Sequence, residues 1–236
     1  MKYLKTTQLL TVIGIFLISS CAKDEEQLGN SDPVIDPPAI THYTVQFGEG
    51  SNWTVGSPIF QQNLTEHVTY QTNLFLEGTM KMAGFLLEDD EARYFHKVTS
   101  KADIDQIVAQ DPALIDQTLS VIEKEAVAIL IEQVLTEDEI DGKSYFIVEY
   151  TPGSDWVDSK KLWEQDLTEH IAYITTKFGE KFVLRGLQYL NVDRAMYIVL
   201  ADDLDAVENF VSDDPAVNNG IFSETILPYA VNVEQL

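Results

Sequence analysis

The chain repeats itself. Gly50-Ser51-Asn52-Trp53 returns as Gly153-Ser154-Asp155-Trp156, and Leu64-Thr65-Glu66-His67 returns as Leu167-Thr168-Glu169-His170. Asp111-Pro112-Ala113-Leu114 returns as Asp214-Pro215-Ala216-Val217, and all three pairs are offset by the same 103 positions. Three separated motifs in one register mark a tandem duplication. Two units follow, 41–135 and 143–236, joined by the solvated acidic stretch 136–142, whose spacing does not match an EF-hand loop. Any architecture for this chain must therefore be buildable twice from about one hundred residues.

The two copies can be read together. Tyr43–Phe47 and Tyr145–Tyr150 are aromatic and β-branched, hence strands ending at glycine-rich turns. Trp163, Leu167, Ile171, Ile174 and Phe178 fall at helical spacing, as do Phe60, Leu64, Val68 and Phe75. Met80–Leu87 and Phe182–Leu190 read as strands, followed by Arg93–Val98 and Ala195–Leu200. Ser100 and Asp203 are N-caps for short second helices that the Asp-Pro pairs terminate. Val121–Ile131 and Ile226–Val231 supply last strands. Each unit then has the order β-α-β-β-α-β, and the fold class expected is α+β, two tandem ferredoxin-like units. Such a sheet carries helices on one face only, so the open faces are expected to pack together as an intramolecular pseudo-dimer. Ile147, Val183, Tyr197 and Val199 are the residues expected in that layer. A short linker holds the units at millimolar effective concentration or above, so the chain is expected to be a monomer.

The N-terminus has a different logic. Lys2 and Lys5 precede Leu9–Ile18, an uncharged apolar run of about ten residues, roughly 15 Å as a helix and too short for a hydrocarbon core of about 30 Å. Basic leader, short apolar run and the small Ser19 and Ser20 mark residues 1–20 as a secretory signal. Cys21, the one cysteine of the chain, follows at once. Ile18-Ser19-Ser20-Cys21 resembles the lipobox of bacterial lipoproteins, which implies acylation of Cys21 and attachment to a membrane. An ordinary signal cut would instead leave a stray thiol in an oxidising compartment. Residues 21–40, with Pro33, Pro37 and Pro38, read as a flexible tether. Lys23-Asp24-Glu25-Glu26 resembles the surface-export signal of Bacteroidetes lipoproteins, which implies an outer-membrane, surface-exposed protein; a plain solvated linker has the same composition.

Charge excludes one class of partner. The formal net charge is −24, and −26 once the two lysines of residues 1–20 are removed. So negative a chain repels phosphate backbones, and no nucleic-acid partner is expected. There is no Gly-x-Ser-x-Gly and no phosphate loop, and none of the four histidines stands at ligand spacing from another, so no metal and no cofactor are implied.

The second unit has a histidine in its first helix (His170), a glycine in the next strand (Gly186) and Asp214-Pro215 after the second helix. It then runs through Gly220-Ile221-Phe222 to Pro228-Tyr229. In this it resembles the YCII-like domains, dimeric ferredoxin-like modules, and the resemblance extends over nearly all of both units. It implies a histidine/aspartate pair: His170 with Asp214, and His67 with Asp111. The family's Gly-Pro is Gly84-Phe85 and Gly186-Leu187 here, and Leu64 and Leu167 replace a basic residue three before the histidine. Unit 1 also has Gln117 where unit 2 has Gly220, so unit 2 is the better candidate for an active pocket.

An aspartate that accepts from one imidazole nitrogen fixes the tautomer and leaves the other nitrogen to move a proton. Two functions are consistent with these residues. One is a lipid-anchored module that binds a small molecule or a partner. The other is an enzyme performing isomerase, lyase or lactone chemistry on a small organic molecule with His170 and Asp214. Against catalysis, a histidine beside an apolar stripe can simply pack, and Asp-Pro is ordinary turn chemistry.

Overall fold

Two strands are longer than their partners can match, and their surplus length decides the architecture. The computed structural model describes residues 38–234. The signal segment, Cys21 and nearly all of the tether lie outside the described residues. The first half runs β1 (His42–Glu49), α1 (Thr65–Leu76), β2 (Met80–Leu86), β3 (Glu91–His96), α2 (Lys101–Gln110), α3 (Pro112–Ile115) and β4 (Leu119–Glu132). One helical turn, α4 (Glu137–Ile140), occupies the acidic linker. The second half runs β5 (Ser144–Pro152), α5 (Thr168–Gly179), β6 (Val183–Tyr189), β7 (Ala195–Ala201), α6 (Leu204–Ser212), α7 (Pro215–Asn218) and β8 (Phe222–Glu234).

β4 has 14 residues against the 8 of β1. Its first part, Leu119 to Val127, pairs with β1, and the remainder from Val127 to Glu132 pairs with β6 of the other half. β8 does the same, pairing with β5 over Phe222–Tyr229 and with β2 over Tyr229–Glu234. Every neighbouring pair is antiparallel, and the strands close into one barrel in the order β1-β3-β2-β8-β5-β7-β6-β4.

This overturns the expected fold class. The chain does not form two tandem ferredoxin-like sheets packed face to face as a pseudo-dimer. It forms a single closed eight-stranded antiparallel barrel with the helices outside. The physical reason is backbone satisfaction: surplus strand at β4 and β8 leaves N–H and C=O groups that need partners, and the exposed edges β2 and β6 supply them. The expected inter-sheet layer fails with it. Ile147 does point into the barrel, packed with Met82, Phe95, Val127, Met196 and Ile198. Val183, Tyr197 and Val199 lie on the other face, beneath the helices of the second half. Strand side chains alternate, so neighbours along a strand cannot share that layer.

Local signals in the sequence hold better than the global one. The Ser100 hydroxyl accepts from the Asp103 N–H at 3.1 Å, and the Asp203 carboxylate from the Ala206 N–H at 2.9 Å, as N-caps do. α2 and α6 stop ahead of the Asp-Pro pairs, and there Asp111 and Asp214 cap new short helices with proline in the first turn. The buried face of the first helices, however, matches the apolar stripe only in part: Leu64 and Ile174 are buried, and Phe75, Leu167 and Phe178 pack against the cores. Val68 and Ile171 are 53% and 61% exposed, whereas His67, Gln71 and Leu74, and His170 and Ile174, are buried. Polar side chains share the inward positions with Leu74 and Ile174, so hydrophobic periodicity misplaces the buried face by part of a turn.

Gly84 and Gly186 sit at the two seams, opposite Val231 and Ile131. A Cβ on Gly84 would come within 2.5 Å of the Ala230 carbonyl oxygen and 2.7 Å of the Tyr229 ring. On Gly186 it would meet Ile131 and the Tyr197 ring, each at 2.8 Å. A backbone carbonyl cannot turn aside as a side chain can. Gly84→Ala is therefore expected to destabilise the barrel by about 1–3 kcal/mol, seen as a lower urea midpoint at unchanged slope. An unchanged midpoint would mean that the seam tolerates a methyl group.

Candidate functional site

The aspartates that cap the short helices do a second job. Asp111 Oδ1 accepts from the Ala113 N–H at 3.0 Å, and both its carboxylate oxygens lie 2.8 Å from His67 Nδ1. Asp214 accepts from the Ala216 N–H at 2.9 Å and lies 2.8–2.9 Å from His170 Nδ1. All four sequence-predicted residues are thus brought together, in the pairs expected. Both aspartates are fully buried; His67 is 1% and His170 3% exposed.

Each imidazole has a second partner that the sequence reading did not assign to it. His67 Nε2 is 2.9 Å from the Tyr94 hydroxyl, and His170 Nε2 is 2.9 Å from the Tyr197 hydroxyl. Tyr94 and Tyr197 are themselves 103 positions apart, so the repeat held a signal for them. With the aspartate ionised, Nδ1–H donates to it and Nε2 accepts from the phenol. Burial, reinforced by Asp111 or Asp214, pushes both phenols well above the ordinary tyrosine range, so each is a neutral donor. Aromatic edges pack the rings in place: His67 against Phe47 at 5.7 Å, and His170 against Tyr150 at 5.6 Å and Phe222 at 5.4 Å.

The halves differ around this common core. Gln71 donates to Asp111 at 2.7 Å; the equivalent position in the second half is Ile174. Phe47 is replaced by Tyr150, whose buried hydroxyl faces Asp214 and whose acidity is suppressed by burial and by that carboxylate. His170 also lines a pocket of about 490 Å³, between the start of α5 (Asp166, Thr168, Glu169) and Pro215, Ala216 and Asn219 of α7. A recess of similar volume in the first half, bounded by Gly50, Leu114 and Gln117, is not lined by His67. Among the described residues no group of three or more His, Cys, Asp or Glu is placed to hold a metal ion. None of their helices is long and apolar enough to cross a membrane.

No family model matches the chain, and no curated protein does either. Solved structures follow a similar chain course. One is a protein of Lactobacillus acidophilus NCFM provisionally named a monooxygenase, at 9% identity and TM-score 0.48, covering 82% of this chain and 95% of that one. A mutant chlorite dismutase of Candidatus Nitrospira defluvii in complex with cyanide has 12% identity and TM-score 0.49, covering 82% and 91%. A protein of Fusobacterium nucleatum, also provisionally named a monooxygenase, has 12% identity and TM-score 0.49, covering 84% and 99%. At such identities, with TM-scores under 0.5, the chemistry named for those proteins does not transfer to this chain.

The two networks differ in redundancy, and stability should show it. His67→Ala leaves Asp111 with the Gln71 amide at 2.7 Å, whereas His170→Ala leaves Asp214 only the weaker approach of the Tyr150 phenol. Loss of about 3 kcal/mol or more is expected for His170→Ala, and a smaller loss for His67→Ala. Equal losses in chemical denaturation would contradict the asymmetry.

Proposed function

We propose that the second half is an acid–base enzyme acting on a small organic molecule, with Asp214, His170 and Tyr197 as its proton-handling group. The observation that carries this reading is His170, fixed by Asp214 on Nδ1, bonded to Tyr197 on Nε2, and forming part of a pocket wall. Of the two functions drawn from the sequence, the enzyme is therefore preferred to a passive binding module. His170, the member of the group that lines the pocket, takes the proton leaving the substrate on Nε2, and the buried Tyr197 hydroxyl, off the pocket wall, holds the ring for that step. Asp214 stabilises the imidazolium so formed, and the reverse transfer returns a proton to a different atom. Isomerisation, elimination and lactone chemistry all use such a step, and a proton transfer of this type contributes typically about 10²–10⁴-fold in rate.

The rest of the proposal concerns kinship and setting. The histidine/aspartate pairing and its sequence context support a relation to the YCII-like domains. The Ile18–Cys21 motif supports lipid attachment at Cys21 and a place in the cell envelope, at the outer membrane and exposed on the surface. Closure of the barrel by the chain's own two halves supports a monomer. A second reading has a specific observation behind it: the same three-residue network exists around His67, with equal distances and less exposure. On that reading both networks are struts tying α1 and α5 to the barrel wall.

Hydrogen–deuterium exchange at carbon in a panel of small ketones and lactones, followed by proton NMR in heavy water, separates the two. Exchange by the wild type and by His67→Gln, with a loss of at least about 100-fold in His170→Gln and in Tyr197→Phe, is the expected result. No difference between wild type and His170→Gln would leave only the strut. For the anchor, Cys21→Ser is expected to abolish lipid labelling and release the protein from the membrane fraction. Normal fractionation and labelling of that variant would overturn lipidation.

A further inference from the structure

The first half carries a buried histidine that the second half has replaced. His96 ends β3, fully buried, and neither of its ring nitrogens has a hydrogen-bond partner. It stands opposite Tyr43 of β1 and Met80 of β2, on the barrel face beneath the helices of the first half. The position 103 residues on is Val199, buried in the corresponding core of the second half. A neutral imidazole left unpaired is the more unusual tenant of such a site, since each unmet polar group costs about 1–3 kcal/mol. An unmet buried group of this sort is a known form of stored strain.

We propose that His96 is an acid-sensitive latch. On acidification it takes up a proton only when α1 and α2 lift from β1 and β3, so the first half loses its helix layer while the second half keeps its own. The groups facing His96 favour this. His42 on β1 and His67 on α1 oppose a positive charge there, Tyr43 packs from β1, and Tyr94, two residues earlier on β3, presents a neutral phenol. Asp111, between α2 and α3, attracts a proton but is already held by His67, Gln71 and the Ala113 N–H. Burial outweighs that attraction and holds His96 at about 4, from the ordinary 6.5. His42, buried with both nitrogens unpartnered, is held at about 4 as well. Its surroundings include Glu132, which raises it, and Arg185, Lys81 and Lys97, which lower it. The equivalent residue in the second half is Tyr145; His42 alternates with Tyr43 along β1 and so faces the barrel interior, which lifting the helices does not open.

The sign follows from proton binding. An opened layer exposes His96 to water and protonates it below about 6.5, whereas the closed layer does so only near 4. Between those limits the open state binds more protons, so closure weakens as pH falls; above about 6.5 the effect vanishes. At pH 5 a single such histidine raises the opening equilibrium by up to roughly 30-fold. Val199 confers nothing comparable.

Amide hydrogen exchange on the whole mature protein at pH 7 and pH 5, corrected for the chemical rate, tests this. Protection in α1 and α2 is expected to fall by up to roughly 30-fold relative to α5 and α6, and His96→Val, the second half's own solution, is expected to abolish the difference. Equal responses in the two halves, or an unchanged response in His96→Val, would overturn the latch. Should His96→Val fail to fold, His96→Gln serves as the non-titrating control. Direct NMR titration of the ring adds an independent criterion: a value near 4 supports the latch, and a value near 6.5 in the folded protein rules it out.

Discussion

Closure of the barrel is the constraint on which everything else depends. β4 and β8 each serve both halves, and without their far ends β2 and β6 would be open edges. Closure decides which face of each strand looks inward. That puts Tyr94 and Tyr197 outside, beneath α1 and α5, where a histidine on each helix reaches them. The polar networks are consequences of where the seams fall.

Inside the barrel the seams are keyed electrostatically. The chain has three arginines, and each pairs with a glutamate of the other half. Arg93 reaches Glu149 at 2.5 Å, Arg194 reaches Glu123 at 2.5 Å, and Arg185 reaches Glu132 at 2.7 Å. Arg194 also lies over the Tyr189 ring at 3.8 Å from its centre. Buried ion pairs add little net stability against apolar packing, but they penalise a wrong register strongly, because a slip would leave a charge without its partner. In a chain of net charge −24, placing every guanidinium at the join between halves is a strong bias toward this one closure.

Much of this was legible beforehand, and the limits have physical causes. The 103-residue repeat and the Ser100 and Asp203 caps were readable because each rests on local spacing or on the repeat, and the pairing of His67 with Asp111 and His170 with Asp214 was implied by the resemblance to the YCII-like domains. Closure was not, since a 14-residue strand and its 8-residue neighbour look alike in alternation until their lengths are compared. The helix faces were misjudged at Val68 and Ile171 because inward positions carry His and Gln, which periodicity counts as solvent-facing. Tyr94 and Tyr197 went unassigned as partners because a strand tyrosine looks the same whether it packs or donates. Arg93, Arg185 and Arg194 gave no signal at all, their glutamate partners being 53 to 71 positions away or more nearly adjacent only through the fold.

The two halves began from one pattern and have settled its buried carboxylate differently. Asp111 has an amide as second side-chain donor, and an unpartnered histidine, His96, stands two residues beyond Tyr94 on β3. Asp214 has an isoleucine where the amide would be, a valine where that histidine would be, and the buried phenol of Tyr150 nearby. One half therefore carries its polar surplus away from the dyad, where protonation acts on helix packing. The other concentrates it around His170, at the one dyad described here that borders a pocket. A duplicated domain freed from identical demands on both copies can divide in this way, with one copy holding an unpaired buried histidine and the other a dyad beside a pocket.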